Sequence, residues 1–70
     1  METSTKIRMI MLERGIGVKE LAKMIGTSSS NLSNKLSRNN FKETDLRSIA
    51  DALNCDYSSM FTYRDTGKQL

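Results

Sequence analysis

The 70-residue chain has no histidine, no proline, no tryptophan and a single cysteine. The lack of histidine and the lone cysteine each remove a class of function. Cys55 alone cannot form an intramolecular disulfide, and without histidine no usual zinc set can be assembled. The same lack excludes imidazole acid–base catalysis and Ser-His-Asp triads. Long apolar runs are missing too: the longest is Met9-Ile10-Met11-Leu12, far too short to span a bilayer. Met1 to Thr5 shows no basic start followed by an apolar run, so no secretory signal is visible. A domain of this size buries only about 60% of the surface its unfolded chain exposes. That leaves room for one core and none for a deep substrate chamber. These shortages lead us to expect a cytoplasmic, non-enzymatic domain with no cofactor, metal, membrane contact or small-molecule substrate.

Charge is unevenly spread along what remains. Residues 19–42 carry Lys19, Lys23, Lys35, Arg38 and Lys42 against Glu20 alone. Residues 43–57 reverse the balance, with Glu43, Asp45, Asp51 and Asp56 against Arg47. A basic middle suits a polyanion, although a solvated charged face explains charge alone equally well.

Hydrophobic spacing predicts several short helices. Ser4 is positioned to cap a first helix over 5–14, with Ile7, Ile10 and Met11 inward. Gly15-Ile16-Gly17 ends it. A second helix over 18–25 carries Val18, Leu21, Ala22 and Ile25, one apolar stripe at i, i+3, i+4, i+7. Ser28 can cap a third over 29–37, whose only apolar residues are Leu32 and Leu36. Phe41, in the loop 38–43, is a candidate plug for the core. A fourth helix over 44–53, capped by Thr44 or starting a residue or two earlier, repeats the stripe with Leu46, Ile49, Ala50 and Leu53. Asn54 can take the left-handed position that stops it. Asp56 can cap a fifth over 57–62, burying Met60 and one of Tyr57 or Phe61, and Cys55 would pack as a small apolar residue. Residues 64–70 show no pattern and read as a disordered tail following a domain over 1–63.

The second and third helices form the informative pair. Ala22 is small where two helices would cross, Gly26 sits at the turn, and Leu32 points back inward. Those spacings describe a helix-turn-helix, whose second helix can lie in a DNA major groove. The third helix has little to contribute to a core. With Leu32 and Leu36 inward, Ser29, Ser30, Ser33 and Asn34 cluster outward near its N-terminus. Short hydroxyls and amides can hydrogen-bond base edges, and Asn can pair bidentately with adenine. Exposed helices with no other use favour Glu, Lys, Gln and Ala, because Ser and Asn are poorer helix formers.

At these residues the chain resembles a known family. The run Val18-Lys19-Glu20-Leu21-Ala22-Lys23-Met24-Ile25-Gly26-Thr27-Ser28 is similar to the second helix and turn of phage Cro and lambda-repressor-like (XRE-type) helix-turn-helix regulators. Leu46-Arg47-Ser48-Ile49-Ala50-Asp51-Ala52-Leu53-Asn54 resembles their fourth helix, and Asp56 to Phe61 their fifth. The resemblance implies a compact all-α, five-helix DNA-binding domain acting as a transcriptional regulator of the repressor kind on double-stranded operator DNA. It implies base reading by Ser29, Ser30, Ser33 and Asn34. It implies phosphate contacts at Val18, through its backbone amide, and at Ser28, and Lys35, Arg38 and Lys42 lie where they too can meet phosphates. Asn39 and Asn40 can assist from the loop. A homodimer is implied as well, with Tyr57, Ser58 and Phe61 as candidate contacts; core filling by Tyr57 and Phe61 is the competing use. A different class of function on the same scaffold is a protein-interaction module of the antitoxin or anti-repressor type.

Three departures from the family pattern involve four positions. Val18 stands where many members have Gln. Met11 and Leu36 stand where many pair an Arg with a Glu, and an apolar pair can replace a buried ion pair without net loss. We therefore expect Met11 and Leu36 to meet. Lys35 stands where an aliphatic residue is common, which bears on how the third helix is rotated.

Overall fold

The computed structural model describes residues 1–69. Four helices are found among them: α1 Thr3–Arg14, α2 Val18–Ile25, α3 Ser29–Arg38 and α4 Glu43–Ala52. Strand pairing among these residues is limited to one isolated bridge, Thr62 with Gln69. α2 is the central element and packs against both α3 and α4.

The apolar stripes meet as their spacing requires. Ile7 and Met11 from α1, Leu21 and Ala22 from α2, Leu32 and Leu36 from α3, and Ile49 with Leu53 at the end of α4 form one buried cluster. Met11 and Leu36 thus share a core, at 6% and 2% exposure. Phe41, Leu46 and Cys55 pack against its edge, half-buried. Burying a side chain such as Leu21 fully is worth roughly 1.5–3 kcal/mol. The turns follow local chemistry: Gly15 (φ 66°) and Gly26 (φ 77°) close α1 and α2 in the left-handed region, where a Cβ is penalised. Asn39 (φ 51°) ends α3 in the same conformation, and Asn54 (φ 58°) adopts it just past α4.

The expected cap of α1 is corrected. The helix starts at Thr3, with Glu2 as its N-cap. Ser4 is inside the helix and buried, 5% exposed. Its Oγ donates to the carbonyl of Leu36 at 2.7 Å, and its backbone N–H donates to Asn39 Oδ1 at 2.9 Å. A hydroxyl this deep has to find a partner, and it finds one on the far end of α3. At the opposite end of α1, Arg14 Nε donates to the carbonyl of Leu53 at 3.0 Å, placing a cation at the C-terminus of α4. The start of α4 also falls earlier than Thr44: Lys42 is the N-cap, and its N–H donates to Asp45 Oδ2 at 2.9 Å.

The expected fifth helix over 57–62 is absent, so the five-helix architecture becomes a four-helix one. A six-residue helix cannot repay its nucleation cost without packing, and Ser58, Ser59 and Thr62 are poor helix formers. Ser59 instead donates its hydroxyl to Glu43 Oε1 at 3.0 Å, holding this non-helical segment beside the start of α4. The side chains expected beneath such a helix are therefore not buried together: Tyr57 is half-buried, while Met60 and Phe61 are 58% and 81% exposed. Beyond them the Tyr63 N–H donates to the Lys68 carbonyl at 2.8 Å, and the Gly67 N–H to the Tyr63 carbonyl at 2.9 Å, closing a turn. This segment makes the molecule long, 44 × 22 × 21 Å. Its radius of gyration is 13.7 Å, against about 11 Å for a compact chain of this length. The tail expected over 64–70 includes Leu70, which lies outside the described residues.

Candidate nucleic-acid interface

The α2–α3 junction is built by short-range bonds. The Gly26 N–H donates to the Lys23 carbonyl at 3.3 Å and the Thr27 N–H to the Ala22 carbonyl at 2.9 Å, so α2 ends in one tight left-handed closure. Ser28 then caps α3, its Oγ accepting from the Asn31 N–H at 3.1 Å. Asn31 Nδ2 donates back to Thr27 Oγ1 at 2.7 Å, which clamps the turn to the first turn of α3. Ala22, 1% exposed, leaves room for the two helices to cross closely.

These bonds set which way α3 faces. Leu32 and Leu36, 0% and 2% exposed, anchor its inner side. Ser29, Ser30, Ser33 and Asn34 are all exposed on the rest of its surface. Their polar groups have no hydrogen bonds to other protein side chains among the described residues, so they stand open to an external partner. Further along, Arg38 is exposed at the end of α3, and Asn40 and Lys42 are exposed in the following loop. Together with Asn31 and Asn34 they border a shallow polar groove whose one acid is Asp45. Val18 opens α2 half-buried, and its N-cap, Gly17, contributes no side-chain acceptor. The backbone N–H groups of that first turn are therefore left for solvent or an anion.

Lys35 borders the same groove but, unlike Arg38 and Lys42, is ion-paired. Its Nζ lies 2.8 Å from Asp45 Oδ2 and its side chain is 30% exposed, so the ammonium is directed toward α4. The Lys35 ammonium, followed by the Lys42 N–H, holds the Asp45 carboxyl below the usual aspartate range. Glu43 is likewise lowered, first by its hydrogen bond from Arg47 and then by that from Ser59. Neither Asp45 nor Ser4 was expected in a positioning role. The signal for Asp45 was its place three residues beyond the N-cap position, where a carboxylate can cap the backbone. Ser4 carried no such signal. Tyr57, Ser58 and Phe61 lie on the irregular segment beyond α4, where Tyr57 lines a crevice with Arg47, Ala50 and Asp51 of α4.

Among the described residues no cluster of His, Cys, Asp or Glu could hold a metal ion, and no helix is long and apolar enough to cross a membrane. A family model for the Cro/C1-type HTH DNA-binding domain matches residues 6–65. No curated protein and no solved structure matches the chain.

Proposed function

The chain belongs to the Cro/C1-type helix-turn-helix DNA-binding domain family, and from that premise we propose that it reads a specific double-stranded operator and represses transcription from it. α3 enters the major groove by its N-terminal half, with Ser29, Ser30, Ser33 and Asn34 against base edges. The backbone N–H of Val18, the Ser28 hydroxyl, and the Arg38 and Lys42 cations hold flanking phosphates, which sets register without reading sequence. The observation that carries this reading is a helix of poor helix formers. Its apolar side is sealed in the core, and its serines and asparagine are presented outward from a locked turn.

The chain acts as a homodimer on a palindromic site. Support comes from the segment after α4, which displays Phe61 at 81% and Met60 at 58% exposure with no cover from its own protomer. Large apolar groups displayed together favour association. Two copies would then place their reading helices one helical turn of DNA apart, about 34 Å.

Selection of bound sites from a random duplex library tests the proposal. The expected product is an enriched motif with two inverted half-sites. Recovery of sequences no different from the input pool, at low salt and high protein concentration, would refute sequence-specific reading.

A further inference from the structure

Lys35 is half-buried and is the one cation of α3 held in an ion pair among the described residues, although it also borders the polar groove shared with Asn34 and Arg38. Three residues past Leu32, it lies about 60° around the helix from that buried leucine. Its stem lines the crevice between α2, α3 and α4 together with Ile25, Leu32 and Ile49. The ammonium ends on Asp45 Oδ2 at 2.8 Å. That same oxygen accepts the Lys42 N–H at 2.9 Å. The carboxylate is thus fixed by the backbone at the start of α4 before it meets Lys35, and needs no further ordering to hold it. By contrast Arg38, one turn further along α3, is exposed and has no ion pair among the described residues.

We propose that Asp45 is a positioning residue that keeps Lys35 off the duplex and so lowers the sequence-independent part of DNA affinity. The inference rests on the DNA-binding reading above and assigns that site an internal restraint. Each cation that neutralises a phosphate adds to the salt dependence of binding in proportion to the counterion it releases. A lysine committed to a carboxylate adds nothing. The base-reading groups are untouched by the bridge, so its effect is on holding and leaves sequence preference unchanged. A small domain whose basic stretch is otherwise open gains from this by being retained less on non-operator DNA.

The test is the salt slope of binding to a duplex of random sequence, measured by fluorescence anisotropy for four proteins: wild type, Lys35→Met, Asp45→Asn and the double variant. Asn at 45 keeps an oxygen for the Lys42 N–H while removing the charge, and Lys35→Gln repeats the test should Met at 35 disturb packing. The Lys35 substitution should leave the slope unchanged when Asp45 is present and lower it by about 0.9 when Asp45 is Asn. Equivalently, the affinity advantage of Asp45→Asn over the double variant should shrink about 3.5-fold between 50 and 200 mM salt. An equal fall in both backgrounds would mean that Lys35 already sits on a phosphate. No fall in either would mean that it never reaches one. Both results overturn the restraint while leaving DNA binding standing. A wild-type chain with no duplex affinity would remove the binding reading and the restraint together.

Discussion

Replacing Ser4 with Ala removes a single oxygen that joins residues 32 positions apart. The bond it deletes is buried, 2.7 Å long, and ends on the Leu36 carbonyl. That carbonyl keeps one other partner, the Asn39 N–H, at a longer 3.3 Å. The backbone bond from Ser4 to Asn39 also survives, since it uses no side-chain atom of Ser4. The loss is therefore one buried neutral hydrogen bond plus part of a desolvation penalty, about 1–2 kcal/mol. Alanine recovers a few tenths of a kcal/mol through helix propensity. The net cost is about 1 kcal/mol, or a fall of about 4–8 °C in Tm for a domain of this size. Thermal melts followed by far-ultraviolet circular dichroism, with urea midpoints alongside, measure it. Thr5→Ala, one residue along on the exposed side of α1, is the control and should stay within about 0.5 kcal/mol of wild type. If Ser4→Ala melts with the control, the bond contributes nothing and the account of how α1 anchors α3 is wrong. The consequence reaches the interface, because Leu36 and Asn39 bracket the end of α3 from which Arg38 projects.

Asn34→Ala should cost about 1–3 kcal/mol on the selected operator and relax preference at one base pair; equal loss on all sequences in competition assays would remove Asn34 from the reading set. Arg38→Ala should weaken binding to any duplex and make the salt slope shallower by about 0.9, and an unaltered slope would show that it touches no phosphate. Phe61→Ser should leave the melting of dilute protein nearly unchanged, since the ring is 81% exposed, but should shift sedimentation toward the monomer; a dimer that survives would place the interface elsewhere. Asp45 titrates below its ordinary value in the folded chain, so its contribution to stability is complete above about pH 3.9 and is lost as pH falls through the lowered value. Urea midpoints should therefore drop less on acidification in Asp45→Asn than in wild type, and parallel acid profiles would contradict the linkage.

The helix-turn-helix was legible because its determinants are short-range. The stripe Val18, Leu21, Ala22, Ile25 repeats within one helix, Gly26 follows it directly, and the Ser28 cap reaches only to Asn31. Those signals placed α2 at its observed ends and α3 within one residue of its own. The outward set of Ser29, Ser30, Ser33 and Asn34 followed from the two leucines, and all four are exposed as their spacing requires. The expected helix over 57–62 shows the opposite situation. Asp56 offers a cap and Met60 and Phe61 offer apolar groups, yet no partner surface lies beneath them. Local signals of that strength decide nothing without burial.

What the sequence alone determined is where α2 and α3 run, where the chain turns between them and which side of α3 is free, since each depends on residues close together along that stretch. Tertiary structure decided the partners of Ser4 and Lys35. Ser4 became a buried tie because the far end of α3 was brought against it, and Lys35 became an internal ion pair because α4 presents a carboxylate already fixed by its own backbone. The periodicity that makes a helix says nothing about which distant polar atom will lie beside it. That is settled only when the apolar stripes have met and every buried or half-buried polar group must find a partner within reach.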